Sequence, residues 1–183
     1  SVGTVFEPPT TSELSNQPNA AGGFNPNLDP MSGESFELGV RRSIGSVAAF
    51  EVTGYQTNLQ NELVPFEVAG AAGVTYFRNA GESRHRGIEA TFSVAPGSVT
   101  VRGDLTYTYT NARFTEYDLD GDDLSDNRIP GVGPQRVQGA LRFSPGIWWT
   151  DVTSTYVDNV PVNDRNTTSL ALNQFANTRS STS

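Results

Sequence analysis

The chain has no cysteine, one histidine and one methionine in 183 residues. Without cysteine there is neither a disulfide framework nor a thiolate metal site, and the zero fits any redox compartment. Charge is scarce as well, at 17% against roughly 25% in ordinary soluble domains. Apolar residues make up only 36%, with a mean hydropathy of -0.39, which is little material for a globular core. No run of about 18 apolar residues occurs, so no transmembrane helix is encoded. The net charge is -8 with only 12 Lys and Arg, which argues against nucleic acid as a partner, since phosphate binding needs clustered cations. Ser1-Val2-Gly3-Thr4 is neither a basic signal-peptide opening nor an initiator Met, and the chain is expected to be an interior piece of something longer.

What is present is a small polar background with 18 glycines, 11 prolines and 10% aromatics. Set in it are runs of alternating residues. Gly87 to Tyr107 reads as two strands hinged on Pro96-Gly97-Ser98. One face of the first arm carries Ile88, Ala90, Phe92 and Val94, and the other Glu89, Thr91 and Ser93. In the second arm Val99, Val101, Leu105 and Tyr107 oppose Thr100, Arg102, Asp104 and Thr106. A period of two gives a strand one apolar and one polar face. The same pattern runs through Glu34–Arg42, through about Val47–Asn58, through Gln135–Ser144 and through Ile147–Tyr156. A strand beginning near Val74 is expected to reach Ala95, with Gly81 or a bulge near Arg84 as points of interruption. No helical periodicity stands out.

Connections alternate in length. Ser43–Ser46, Pro96–Ser98 and Pro145-Gly146 are short, whereas Leu59–Gly73 (with Pro65 and Gly70) and Thr115–Pro134 are long. The strands run about 10–20 residues, against a mode of about 5–6 in globular proteins. Long strands with tight turns at one end and long loops at the other are the layout of an outer-membrane barrel, whose wet lumen accepts an inward polar face. Glu37, Arg41, Glu51, Glu89, Arg102, Asp104 and Arg142 would then be luminal, and Trp148 and Trp149 would stand at an interfacial aromatic girdle. A soluble antiparallel sandwich alternates too, so pattern alone leaves two readings: a transmembrane barrel piece, or a soluble or surface-exposed β-rich binding or adhesion module.

Motifs in order then carry a resemblance. Phe6-Glu7-Pro8-Pro9-Thr10 with Glu13-Leu14, Asn25-Pro26-Asn27-Leu28-Asp29-Pro30, Phe36-Glu37-Leu38-Gly39-Val40-Arg41, Tyr76-Phe77-Arg78-Asn79-Ala80-Gly81 with Arg86-Gly87-Ile88-Glu89, Asn127-Arg128-Ile129-Pro130 through Arg136, and Tyr156-Val157-Asp158 follow one another. Each is weak alone; the ordered set resembles the C-terminal half of the barrel of TonB-dependent outer-membrane receptors. The likeness covers about Thr4 to Thr168. It implies an all-β antiparallel meander forming part of a barrel of about 22 strands plugged by an N-terminal domain. It also implies a bacterial outer-membrane address, outer-membrane lipid as a partner, and TonB-coupled import of a scarce ligand such as an iron-siderophore, with no enzymatic activity. Met31, Gly133 and Gln135 depart from the usual motif residues. Residues 1–168 are thus expected to be partial barrel. Residues 169–183 are expected to be a polar tail unlike the family, a truncation or change of frame, with the plug domain through which TonB would act absent.

Chemistry is sparse. Asp118, Asp120, Asp122 and Asp126 lie in one acidic loop with Gly121, a spacing that can gather carboxylates round calcium. Counted from Asp118, the sixth position is Asp123 and the twelfth Ile129, where an EF-hand needs Gly and a bidentate Glu; only a looser site or a solvated acidic loop remains. Arg78, Arg84, Arg86, Arg102 and Arg142 are candidates for a luminal basic stripe meeting an anionic ligand, unless they pair with Glu37, Glu51, Glu82, Glu89 and Asp104. His85, flanked by Arg84 and Arg86, suits a polar lumen or rim rather than a catalytic triad.

Overall fold

The computed structural model describes residues 1–183 except Asn16, 19–22, 69–72, Ala80, Ser98, Val99, Asp120, 172–174 and Ser183. In chain order the elements are β1 (Val2–Glu7), α1 (Thr11–Leu14), β2 (Met31–Ile44), β3 (Ala48–Gln60), β4 (Leu63–Glu67), β5 (Thr75–Asn79) and β6 (Glu82–Val94). There follow β7 (Val101–Glu116), β8 (Asp118–Leu119), β9 (Asp122–Asp123), β10 (Gln135–Phe143), β11 (Trp148–Val157), β12 (Val160–Pro161), β13 (Ser169–Leu170) and β14 (Phe175–Thr182). Among the described residues, eight strands form one sheet in the order β1-β2-β3-β6-β7-β10-β11-β14. Each strand of that sheet lies beside its predecessor and successor in the sheet, so the chain is a meander, and its order ends on β1 and β14.

The skipped strands occupy the long connections. β4 pairs antiparallel with β5, β8 with β9 and β12 with β13, so each of the last three long connections carries its own hairpin. Sequence periodicity misses these because runs of two to five residues interrupted by Pro65 or Pro161 hold too few repeats to show a period. The short turns lie where expected: Gly45 (φ 57°) turns β2 into β3, and Gly146 (φ 99°) precedes β11. The left-handed φ at both explains why glycine stands there.

The strand expected from Val74 to Ala95 divides into β5 and β6 at Gly81, one of the two expected points of interruption. Gly81 lies between them, and a Cβ there would stand 2.2 Å from the Glu116 carbonyl oxygen. The tail, which shows no alternation, contributes β14, paired with β11 from Trp148↔Thr182 to Thr155↔Phe175. No helical periodicity marks the segment after the Pro-Pro-Thr motif, yet it forms the four-residue α1. Thr10 caps it reciprocally with Glu13, its hydroxyl accepting from the Glu13 N–H and its own N–H donating to the Glu13 carboxylate. Gly70, Ala80, Ser98, Val99, Asp120 and part of the tail fall outside the described residues.

The chain divides into two compact units. The first comprises Ser1–Phe36, Gln56–His85 and Arg113–Asn127; the second comprises Glu37–Tyr55, Arg86–Ala112 and Arg128–Ser183. In the first, Leu59, Val64, Tyr76, Phe114, Tyr117 and Leu124 are buried, and the Phe114 and Tyr117 rings stand 4.6 Å apart. Phe114 is fully buried, a gain of about 1.5–3 kcal/mol for a side chain of its kind. Backbone bonds fix the cover over it: Asp126 N donates to the Phe114 carbonyl at 2.9 Å, and Phe114 N to that of Asn127 at 3.0 Å.

In the second unit Ala112, Ile129 and Val160 are buried, but many large apolar residues of the long strands are outside. Leu38, Val40, Ile44, Val52, Ile88, Phe92, Val101, Leu105, Leu141, Phe143 and Val152 are all exposed. Across β7, β10 and β11 the register puts these residues on one face: Phe143 lies opposite Val101, and Leu141 opposite both Gly103 and Val152. A sheet with a broad apolar exposed face is stable only where something apolar covers it.

Candidate functional site

The opposite, polar face of the second unit is built by the same alternation. Across β7, β10, β11 and β14 the register sets Arg102 against Arg142, Arg142 against Asp151, and Asp151 against Arg179. Arg142 binds Asp151 with both prongs, Nε to Oδ1 and Nη2 to Oδ2, each at 2.7 Å. Its guanidinium also lies 5.3 Å from the centre of the Trp149 ring. Arg102 Nε donates to Asp104 Oδ2 at 3.2 Å, and the Ser93 hydroxyl donates to the other Asp104 oxygen at 2.7 Å. Arg41 and Glu51 pair at 3.6 Å, both largely exposed. One bidentate pair and short side-chain bonds within and between strands hold these charges on one face.

Of the five arginines expected in one stripe, only Arg102 and Arg142 share this face. Arg84 and Arg86 occupy even positions of β6, with Ile88, Phe92 and Val94, and so belong to the apolar parity. Arg78 is in β5, opposite Val64. Its guanidinium is 4.5 Å from the centre of the Phe66 ring, and its Nε donates to the Tyr117 hydroxyl at 3.1 Å. The two tryptophans separate likewise. Trp148 is exposed on the apolar face, edge-on to Phe143 at 5.5 Å, whereas Trp149 is under Arg142 on the polar face. Adjacent strand residues point to opposite sides, so Trp148 alone can belong to a girdle.

Among its described residues the acidic loop gathers no carboxylate cluster. Asp118 pairs in register with Asp123, and its Oδ1 accepts from Gly121 N at 2.9 Å. Asp123 accepts from the Ser125 side chain and from Ser125 N (2.9 Å), which together hold its carboxyl below the usual range. Asp126 is in a left-handed turn (φ 67°). Among the described residues no group of three or more His, Cys, Asp or Glu could hold a metal ion, and Asp120 lies outside them.

A cluster that sequence reasoning missed lies in the first unit. Glu62, between β3 and β4, accepts from the buried Ser83 hydroxyl and meets His85 Nε2 at 3.4 Å. Burial pushes the Glu62 carboxyl up, but hydrogen bonds from His85 and Ser83 and the charge of His85 outweigh it, so the net shift is below the ordinary 4.5. A depressed carboxyl stabilises the fold above its ordinary value, and that contribution is lost as pH falls through the folded value. Glu62→Gln is therefore expected to lower hydrogen-exchange protection over residues 61–67 at about pH 7 and to flatten its fall towards about pH 4. Identical pH profiles for both proteins would overturn this. Asn79 acts nearby as a clamp: its side-chain amide donates to the carbonyls of Asp29 and Asn61 at 2.9 Å each, and its Oδ1 accepts from Asp29 N at 2.9 Å.

The family model described as "TonB dependent receptor-like, beta-barrel" matches residues 1–182. The chain belongs to this family. The match runs past Thr168, where the motifs end, and through β14. Members are outer-membrane receptors rather than enzymes, and the exposed apolar face is the one such a barrel turns to lipid. The fold is shared with the copper transporter OprC (17% identity, TM-score 0.72), covering 98% of this chain and 28% of that one. It is shared also with the siderophore receptor PiuA from Acinetobacter baumannii (19%, TM-score 0.62, 86% and 23%). The ferric yersiniabactin uptake receptor FyuA from Yersinia pestis shares it too (13%, TM-score 0.64, 98% and 26%). The chain thus spans about a quarter of the length of these receptors.

Proposed function

We propose that this chain is part of the wall of an importer that draws a scarce metal complex, such as a ferric siderophore, across the outer membrane with energy coupled through TonB. The family match over residues 1–182 carries the reading. The polar face supports it. Arg102, Arg142 and Asp151 would line the interior of the receptor, where fixed charges can guide an anionic complex without the burial cost they would meet in a dry core. Coupling to TonB would pass through a plug domain elsewhere in the receptor.

The test is uptake by a receptor containing this chain, produced in cells lacking their own metal receptors. Radiolabelled ferric hydroxamate, catecholate and carboxylate siderophores and cupric ion serve as probes. Accumulation of one probe that stops when TonB is deleted is the expected result. Accumulation unchanged without TonB would overturn the coupling, and no accumulation of any probe would overturn the ligand class.

A further inference from the structure

The apolar face of the second unit is not uniformly studded. Leu105 lies opposite Gly139, and Leu141 opposite Gly103, so two glycines occupy one diagonal and two leucines the other. The missing side chains leave a trough of about 360 Å³, whose lining also takes in Phe92 and Val94 of β6 and Val152 and Ser154 of β11. A Cβ on Gly139 would meet nothing within 4 Å, so the space above it is open. A Cβ on Gly103 would come 3.3 Å from Val94 Cγ1, which marks the trough's wall.

We infer that this trough is a binding site for one acyl chain of a diacyl phospholipid. The occupant follows from the face it is on. In an outer-membrane barrel this side adjoins hydrocarbon, so the trough is continuous with the lipid interface. A void there would forfeit dispersion contacts on every lining atom, and only a slender chain fits between side chains that β-ladders hold in place. Gly103 and Gly139 lie within a few residues of the turns joining β6 to β7 and β10 to β11. Short turns are the periplasmic end of such barrels, which places the site in the periplasmic leaflet. A chain seated between these walls is retained.

The experiment is native mass spectrometry of a receptor containing this chain, extracted in mild detergent and supplied with phosphatidylethanolamine. One lipid adduct is expected to survive collisional activation after all others have gone. Gly139→Leu fills the trough and is expected to lose that adduct, whereas Ala90→Leu, on the same face but outside the trough, keeps it. Should the leucine variant fail to assemble, Gly139→Val is expected to give a partial loss. Adducts of equal persistence in all variants would overturn the proposal. So would a lipid-free wild type that is dimeric and becomes monomeric on Gly139→Leu, which would make a second copy the occupant.

Discussion

Leu105→Arg in a receptor containing this chain is expected to abolish its assembly into the outer membrane, while Thr106→Arg one residue on is tolerated. Leu105 is 48% exposed on the face shared with Val101, Leu141 and Val152, and lies opposite Gly139. A guanidinium there would sit in hydrocarbon, where the cost rises towards about 2–4 kcal/mol at the bilayer midplane. That is a large share of the roughly 5–15 kcal/mol by which proteins are stable. Thr106 lies opposite Gln138 on the wall that carries Arg102 and Asp104, where an added cation stays hydrated. The readout is folded, heat-modifiable receptor in isolated outer membranes. Equal yields for the two variants would refute the facing of the whole sheet, because the alternation that orients Leu105 orients every strand beside it.

That alternation is also why the architecture was legible. Long strands with one charged and one apolar face, and turns marked by Gly45, Pro96 and Gly146, define the meander without any tertiary information. Pairing across a short turn is legible too: Phe143 faces Thr150, so Arg142 must meet Asp151 one step further out on each arm. The five arginine candidates divide by parity, which puts Arg84 and Arg86 with Ile88, and residue type alone does not report parity. The hairpins of the long connections were hidden for another reason. Their stability comes from nonlocal contacts, such as the Arg78 guanidinium over Phe66 and the Asn79 clamp on Asp29 and Asn61. Nothing in five-residue runs reports such partners. Likewise β14 is drawn into the sheet by the unpaired edge of β11, since its own sequence, rich in Ser and Thr, has no hydrophobic period.

Gly87→Ala and Gly139→Ala are expected to have effects of opposite sign although both replace a glycine within a strand of one sheet. A Cβ on Gly87 would stand 2.2 Å from the Tyr109 carbonyl oxygen, 2.7 Å from the Tyr55 hydroxyl and 2.8 Å from its Cζ. The Tyr55 ring lies across the glycine, and its hydroxyl is held by Thr110 Oγ1 at 3.0 Å, so it cannot swing away without breaking that bond. The carbonyl belongs to β7 itself. Relief therefore demands that β6 and β7 part, a cost of about 1–3 kcal/mol or more of the kind seen on overpacking. At Gly139 no protein atom lies within 4 Å and a fluid acyl chain yields to a single methyl, so losing glycine's freedom in the unfolded chain is worth about 0.4–1 kcal/mol in the other direction. Denaturant midpoints of the reconstituted receptor separate the two. Tyr55→Ala in the Gly87→Ala background makes the argument sharper. It removes the ring but leaves the carbonyl, so it should restore only part of the loss. Full recovery would place the constraint in the tyrosine and not in the close approach of two strands.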